Sequence, residues 1–391
     1  MKIRAKSPRF FRVGLLIDTS CQWARQIITG INSYIRQSGS WHPFLEPHGS
    51  NQSFQLPRNW KGDGVIADIE DGKLDDSLHR SGLPVVNISD HFQSRHGFPQ
   101  ISISRRDSCK LAVNYFWNQG FRNFAYINLA EDARDTENRD YFTANVREMG
   151  GQCSVYQVKR RARGVPDWNM DIRRLGQWLI SLPKPVGVFS FGVGREVVHA
   201  CQIYRIRIPE EVALLMISYD DVFCEASSIP VSGILHPLQE VGYKAAEMLD
   251  QLMRGKKVPK TTLFIPPLGV ETRRSTDTTA IQDPALVAAL HFIRAHADQP
   301  IQVSDVVKQA SVSRRVLERR FLQHLGRTPA DHIRHVHLER AQSLLRETNL
   351  SMPDVAEASG FGSPEYFASA FQKRLGISPL KYRSKVRVKS W

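Results

Sequence analysis

The segment 313–325, SRRVLERRFLQHL, places Leu317, Phe321 and Leu325 at i, i+4 and i+8, one stripe of a helix. Arg314, Arg315, Glu318 and Arg319 fall on the opposite face. A guanidinium can pair bidentately with guanine O6 and N7, so a helix with an apolar back and an arginine front suits the major groove of double-stranded DNA. Segment 363–375 repeats the stripe with Phe367, Phe371 and Leu375, and Ser313 and Ser363 stand where each helix needs an N-cap. A short helix and a tight turn precede each one. The first carries Val306, Val307 and Ala310, with Ser304 as its expected cap. The second carries Val355 and Ala358 behind Ser351, with Gly360 at its turn. One such helix could be a solvated basic surface; two built alike, joined by an amphipathic stretch at 332–346, favour a DNA-reading pair.

Other chemistry finds little support. Cysteines 21, 109, 153, 201 and 224 lie far apart, with no CxxC pair and no His-x-x-x-His partner. A cysteine enzyme needs a thiol beside a base, whereas Cys153 sits in a predicted strand before Ser154, and His199 lies on a different side of the helix from Cys201. No catalytic residue, metal or cofactor is expected.

The elements that position these residues divide the chain. From about 10 to 271, β-branched runs at 12–17, 64–68, 84–88, 123–127, 186–191 and 212–217 alternate with helical patterns at 24–36, 108–119, 140–148, 171–182, 195–204 and 238–254. This is the pattern of doubly wound α/β lobes. A polar stretch rich in Thr and Asp follows, and then an almost wholly helical remainder. The expected domains are 1–272, a linker at 273–284, and 285–391.

At 391 residues the chain exceeds one ordinary core, and 41% hydrophobic with 24% charged residues is soluble globular usage. The formal charge of +14 is uneven: residues 283–391 hold 17 Lys+Arg against 10 Asp+Glu, which puts half of the excess in about a quarter of the length. The last eleven residues carry five cations and no acid. No apolar run approaches the roughly 18–20 residues of a membrane span, so a cytoplasmic protein with no membrane partner, nucleoid-associated when bound to DNA, is expected.

The strings LERRFLQHLGRTPADHIR, LERAQSLL and DVAEASGFGSPEYFASAFQKRLGISPLKYR closely resemble the C-terminal DNA-binding domain of the AraC/XylS family of transcription regulators. The likeness covers about a hundred residues. It implies two helix-turn-helix units entering successive major grooves, with Arg314, Arg315, Glu318 and Arg319 as first-site candidates and Ser363, Glu365, Tyr366 and Ser369 as second-site candidates.

The first 270 residues resemble instead the periplasmic-binding-protein-like sensor of LacI-type repressors, through VGLLID, ARQIITGI, GDGVIADI, LAVNYFWNQGFRNFAYI, VALLMISYDDV and FIPPLGVETRRST. The implied architecture is a two-lobe α/β LacI-type sensor followed by an all-α AraC-type domain with two helix-turn-helix units. The implied function is a homodimeric activator of pentose catabolic genes that works with RNA polymerase and is induced by a sugar such as D-xylose. By match to the sensor motif, Arg139 in TENRDYF and Asp220 in ISYDD contact the sugar. Asp18 and Arg25 flank the first strand–helix turn, and Trp23 and Trp168 offer aromatic platforms. Two positions depart from the pattern: Phe191–Gly192 replaces an Asn-Asp pair, and SRRD stands where an aspartate is expected near 104. Arg195 is expected to supply part of the missing polarity. A sensor that answers to another sugar, to a protein partner or to nothing stays open as the alternative.

Overall fold

A computed structural model describes residues 10–38, 40–47, 54–57, 60–129, 133–158, 172–217, 222, 224, 227–277 and 283–386. In the first lobe, β1 (Phe11–Leu16), α1 (Gln22–Ser38), β2 (Trp41–Leu45), β3 (Gly64–Ala67), α2 (Gly72–Ser81) and β4 (Val85–Asn87) build a parallel sheet of order β2-β1-β3-β4. Alternation decides the two faces. Val13, Leu15, Ile66 and Val86 join the core beneath α1, while Val65, Ala67 and Val85 join a second core with Leu74 and Leu78 of α2.

The chain then crosses over. β5 (Ile101–Ile103) ends the first lobe, and α3 (Arg105–Asn118) begins the second, which continues through β6 (Asn123–Leu129), α4 (Ala133–Glu148), β7 (Gln152–Val158), α5 (Ile172–Ser181), β8 (Val186–Ser190), α6 (Gly194–Ile203), β9 (Val212–Met216) and β10 (Ser232–Leu235). Its sheet runs β10-β9-β8-β6-β7 in parallel, with helices on both faces. The chain returns with α7 (Leu238–Met253), which packs on α1 in the first core, and with β11 (Leu263–Ile265), which pairs with β5. It crosses a last time to β12 (Gly269–Glu271), antiparallel to β10.

The contact of α1 with α7 depends on two glycines facing each other's backbone. A Cβ on Gly242 would lie 1.9 Å from the Ile27 carbonyl oxygen, and one on Gly30 would lie 2.0 Å from that of Gln239. Gly242→Ala must therefore part the helices. The expected cost is about 3 kcal/mol, the upper part of the overpacking range, seen as a lower midpoint in denaturant at unchanged slope. An unchanged midpoint would mean that the crossing is looser than the structure has it.

Residues 273–277 fall within the expected linker. They form a 3-10 turn at Arg274–Thr276 packed against the second lobe, where Ser275 Oγ donates to the Leu214 carbonyl (2.6 Å) and accepts from Ser232 N–H (2.8 Å). Residues 278–282 lie outside the described residues. At the far end Asp283 caps the next helix and pairs with Arg320 at 2.6 Å, so a carboxylate ties down the start of the helical domain.

That domain contains α8 (Pro284–Ala295), α9 (Val303–Ala310), α10 (Arg314–Leu325), α11 (Pro329–Glu347), α12 (Met352–Ala358), α13 (Pro364–Leu375) and α14 (Pro379–Val386). The expected stripes are buried: Leu317, Phe321 and Leu325 in one core, Phe367 and Phe371 in another, with Leu375 half-buried. α11 joins the cores rigidly by giving Ile333 and Val336 to the first and Leu338, Ala341 and Leu345 to the second. Two local expectations change. Gln302, not Ser304, caps α9, because Asp305 reaches back to the Gln302 N–H and closes a capping box one residue pair earlier. Ala356 rather than Ala358 is buried beside Val355.

Candidate functional site

Each reading helix is held by its cap and its stripe. Ser313 Oγ accepts from Val316 N–H, and Ser363 Oγ accepts from Tyr366 N–H at 3.1 Å. Arg314 Nε donates to Glu318 Oε1 at 2.9 Å, an i,i+4 pair that orders the first turn of α10. Arg315 and Arg319 project exposed from the same helix. On α13, Glu365 and Ser369 are exposed, and Tyr366 is half exposed with its hydroxyl accepting from Arg334 Nε at 2.9 Å. Arg334 comes from α11 and also pairs with Asp331 (2.8 Å). The hydrogen bond to Tyr366 and the pair with Asp331 hold its guanidinium above the usual arginine range. Sequence reading missed Arg334, which lies nine residues beyond the first reading segment and 29 before the second, and joins the second head only through the fold.

Polar side chains stand at or beyond several strand ends of the two lobes and on α4. Asp68 follows β3, Asp90 follows β4, Asn128 lies near the end of β6, Asn138 sits on α4, and His236 follows β10. Asp68, Asn128, Asn138 and His236 are buried. Among the described residues, Asp68 Oδ1, Asn128 Oδ1, Asn138 Oδ1 and His236 Nδ1 have no protein partner. Burial first and the neighbouring Asp90 second push the Asp68 carboxyl up to about 7, and burial lowers His236 below the usual histidine range. Arg105, at the first position of α3, is buried. Its guanidinium spans the lobes, with Nη2 on Asp90 (3.2 Å to Oδ2, and also on the Asp90 carbonyl) and Nη1 on Glu137 (2.9 Å). Arg105 is the cation that SRRD puts near the expected aspartate.

The residues expected to contact sugar are placed variously. Asp18 accepts from Ser20 N–H (2.7 Å) and Oγ (2.6 Å), and Arg25 Nη1 donates to the carbonyls of Thr19 and Ser20, so both are engaged in ordering the β1–α1 turn. Trp23 packs half-buried against the first-lobe core. Arg139 pairs with Asp140 at 2.7 Å, one residue from the buried Asn138, and Arg195 pairs with Glu196 at 3.1 Å on a largely exposed surface. Trp168 and Asp220 lie outside the described residues. GDGVIADI already contained Asp68, a carboxylate directly after the apolar run Val65–Ala67, and this was the signal available for the cleft.

This array suits a neutral ligand rich in hydroxyls, because buried acceptors left without donors cost about 1–3 kcal/mol each until a ligand supplies them. It does not suit thiol chemistry: burial pushes the Cys153 and Cys201 thiols up to about 12, far from thiolate at neutral pH.

Family models match along the chain: an XylR N-terminal domain over 12–107, a periplasmic binding protein-like domain over 113–276 and a helix-turn-helix domain over 306–385. The xylose operon regulatory protein of Escherichia coli (strain K12) is 30% identical over 381 residues, covering 95% of this chain and 96% of the relative. The chain belongs to the xylose operon regulatory protein family. Its counterpart in Haemophilus influenzae is 28% identical over 96% of this chain and 98% of its own. The solved structure of the xylose-binding transcription activator xylR aligns with a TM-score of 0.62 at 28% identity, over 96% and 98% of the two chains. A LacI-type regulator from Alkaliphilus metalliredigens shares the fold of the sensor region (TM-score 0.54, 18% identity, 68% of this chain). Members of this family are transcription regulators, and this chain joins a periplasmic-binding-protein-like sensor region to a helix-turn-helix domain as they do.

Proposed function

We propose that this regulator binds D-xylose between its lobes and activates pentose catabolic genes as a homodimer that contacts RNA polymerase. The observation that carries the sugar reading is the set of buried polar atoms on Asp68, Asn128, Asn138 and His236 that have no protein partner among the described residues. Vicinal hydroxyls supply donors for those oxygens, and the family relationship supports a pentose. Arg139 and Asp220 remain proposed contacts from the sensor motif. Arg315 and Arg319 are proposed to read base edges, with Ser313, Arg314, Glu318, Ser363, Glu365, Tyr366 and Ser369 completing the two DNA-facing surfaces. Sugar shifts the population towards closed lobes, and closed lobes change how the paired DNA heads engage. Calorimetric titration with D-xylose, arabinose, ribose and glucose tests the ligand: heat with D-xylose alone supports the reading, and silence across the panel from a folded sample refutes it.

The raised Asp68 group adds a pH signature. In the sugar-free fold its value lies above that of an unfolded carboxylate, so its contribution to stability is full below about pH 4 and is lost as pH rises through about 7. A hydroxyl donating to Asp68 favours the ionised form. D-Xylose affinity therefore rises between pH 6 and 8, by at most about tenfold per pH unit, with proton release on binding, and Asp68→Asn flattens the profile. A wild-type profile already flat over that range would remove Asp68 from the ligand's contacts.

A further inference from the structure

The last crossover between the lobes is built into the core of the second helix-turn-helix unit. Leu268, between β11 and β12, packs into the cluster formed by Leu345 of α11, Val355 of α12, Phe371 of α13 and Tyr382 of α14. Its backbone N–H donates to the Leu235 carbonyl (2.8 Å) at the end of β10, where the chain makes its return crossing. Three residues further on, Glu271 accepts from Arg346 Nη2 of α11 at 2.9 Å, and both side chains are about 15% exposed. Arg346 Nη1 also donates to the Tyr382 hydroxyl (3.3 Å), which donates in turn to Gln342 Oε1 (3.4 Å). An apolar anchor and a largely buried ion pair, three residues apart on one crossover segment, thus grip α11 and α14. The first unit meets the second lobe differently, through single bonds to carbonyls from Arg122 to His324 (2.7 Å) and from Arg327 to Asn118 (3.2 Å).

Closure of a two-lobe sensor turns the lobes about their crossovers, and a body attached to a crossover must either follow that turn or resist it. We propose that sugar control reaches the DNA through this staple, with Leu268 and Glu271 pinning the second helix-turn-helix unit to the hinge, and not through the covalent connection at 273–284. The inference rests on the sugar reading above. It names one physical element whose arrangement both sites bias, which is what coupling between distant sites requires. A largely buried ion pair suits the role, since removing one partner leaves the other charge poorly solvated and the joint gives way.

The test uses the full-length protein, the variants Glu271→Gln and Arg346→Glu, and the exchanged pair Glu271→Arg with Arg346→Glu. Hydrogen exchange without sugar is the first measurement. Glu271→Gln should speed exchange of the 269–271 amides and of α11 around 342–346 together, and leave α10 unchanged. The second is the affinity for a DNA duplex selected from a random pool, measured with and without D-xylose, beside a calorimetric titration with the sugar. Coupled sites differ on the order of 5–150-fold. In either single variant that ratio should fall towards one while the D-xylose heat persists, and the exchanged pair should recover at least part of it. Singles that keep the full wild-type ratio overturn the staple, as does unaltered exchange in Glu271→Gln. Absence of D-xylose heat in the wild type would instead sink the sugar reading and the sugar control built on it, with the exchange data still deciding whether the joint exists.

Discussion

Replacing Arg315 and Arg319 together with alanine lowers affinity for the selected duplex by about 2–6 kcal/mol, from roughly 1–3 kcal/mol for each guanidinium that pairs bidentately with a base. The two sit one helical turn apart on α10 and are exposed, whereas Arg320 is turned away to pair with Asp283 and Arg314 is engaged with Glu318. Their closeness allows coupling, so the double variant is compared with both singles before the losses are summed. The loss should concentrate on a few base pairs of the first half of the site. An equal loss on unrelated duplexes would make them phosphate contacts with a smaller salt slope, and no loss at all would take α10 out of the groove.

Phe371→Ala lowers the stability of the helical domain by about 3–5 kcal/mol, the cost of a large side chain removed from a closed core. Phe371 is fully buried and meets Phe367 (ring centroids 5.5 Å apart) and Tyr382 (5.3 Å) edge-on, and the cluster includes the crossover residue Leu268. The change should therefore lower the melting midpoint and also loosen the seat of the second unit on the sensor. Urea unfolding followed by far-ultraviolet circular dichroism and by amide exchange reads both. A shift below about 1 kcal/mol would show that the second core collapses around the gap.

The fold was legible wherever apolar spacing was regular. Strands at 64–68, 186–191 and 212–217 and the stripes at 317, 321, 325 and 367, 371 were visible because burial imposes a period that a single sequence displays. Edge and crossover strands were not. β2, β5, β11 and β12 are three to five residues long, and a run such as WHPFL, which contains a proline, carries too little pattern to declare a strand. The reading helices were legible because one helix supplies both stripe and arginines. The cleft was less so: Asp68, Asp90, Arg105, Glu137 and His236 come from five separate segments, and only the closing of two sheets brings their polar atoms together. The same holds for Arg346 and Glu271, 75 residues apart and paired by the crossover.

In the proposed function, one sugar in the interlobe cleft controls DNA engagement by the double helix-turn-helix domain. Fluorescence anisotropy of the selected duplex, titrated with the full-length protein at fixed salt in the absence and presence of saturating D-xylose, tests it most directly. Two curves whose midpoints differ by at least about fivefold are expected. Superimposed curves, from protein that gives D-xylose binding heat in the same buffer, would contradict it.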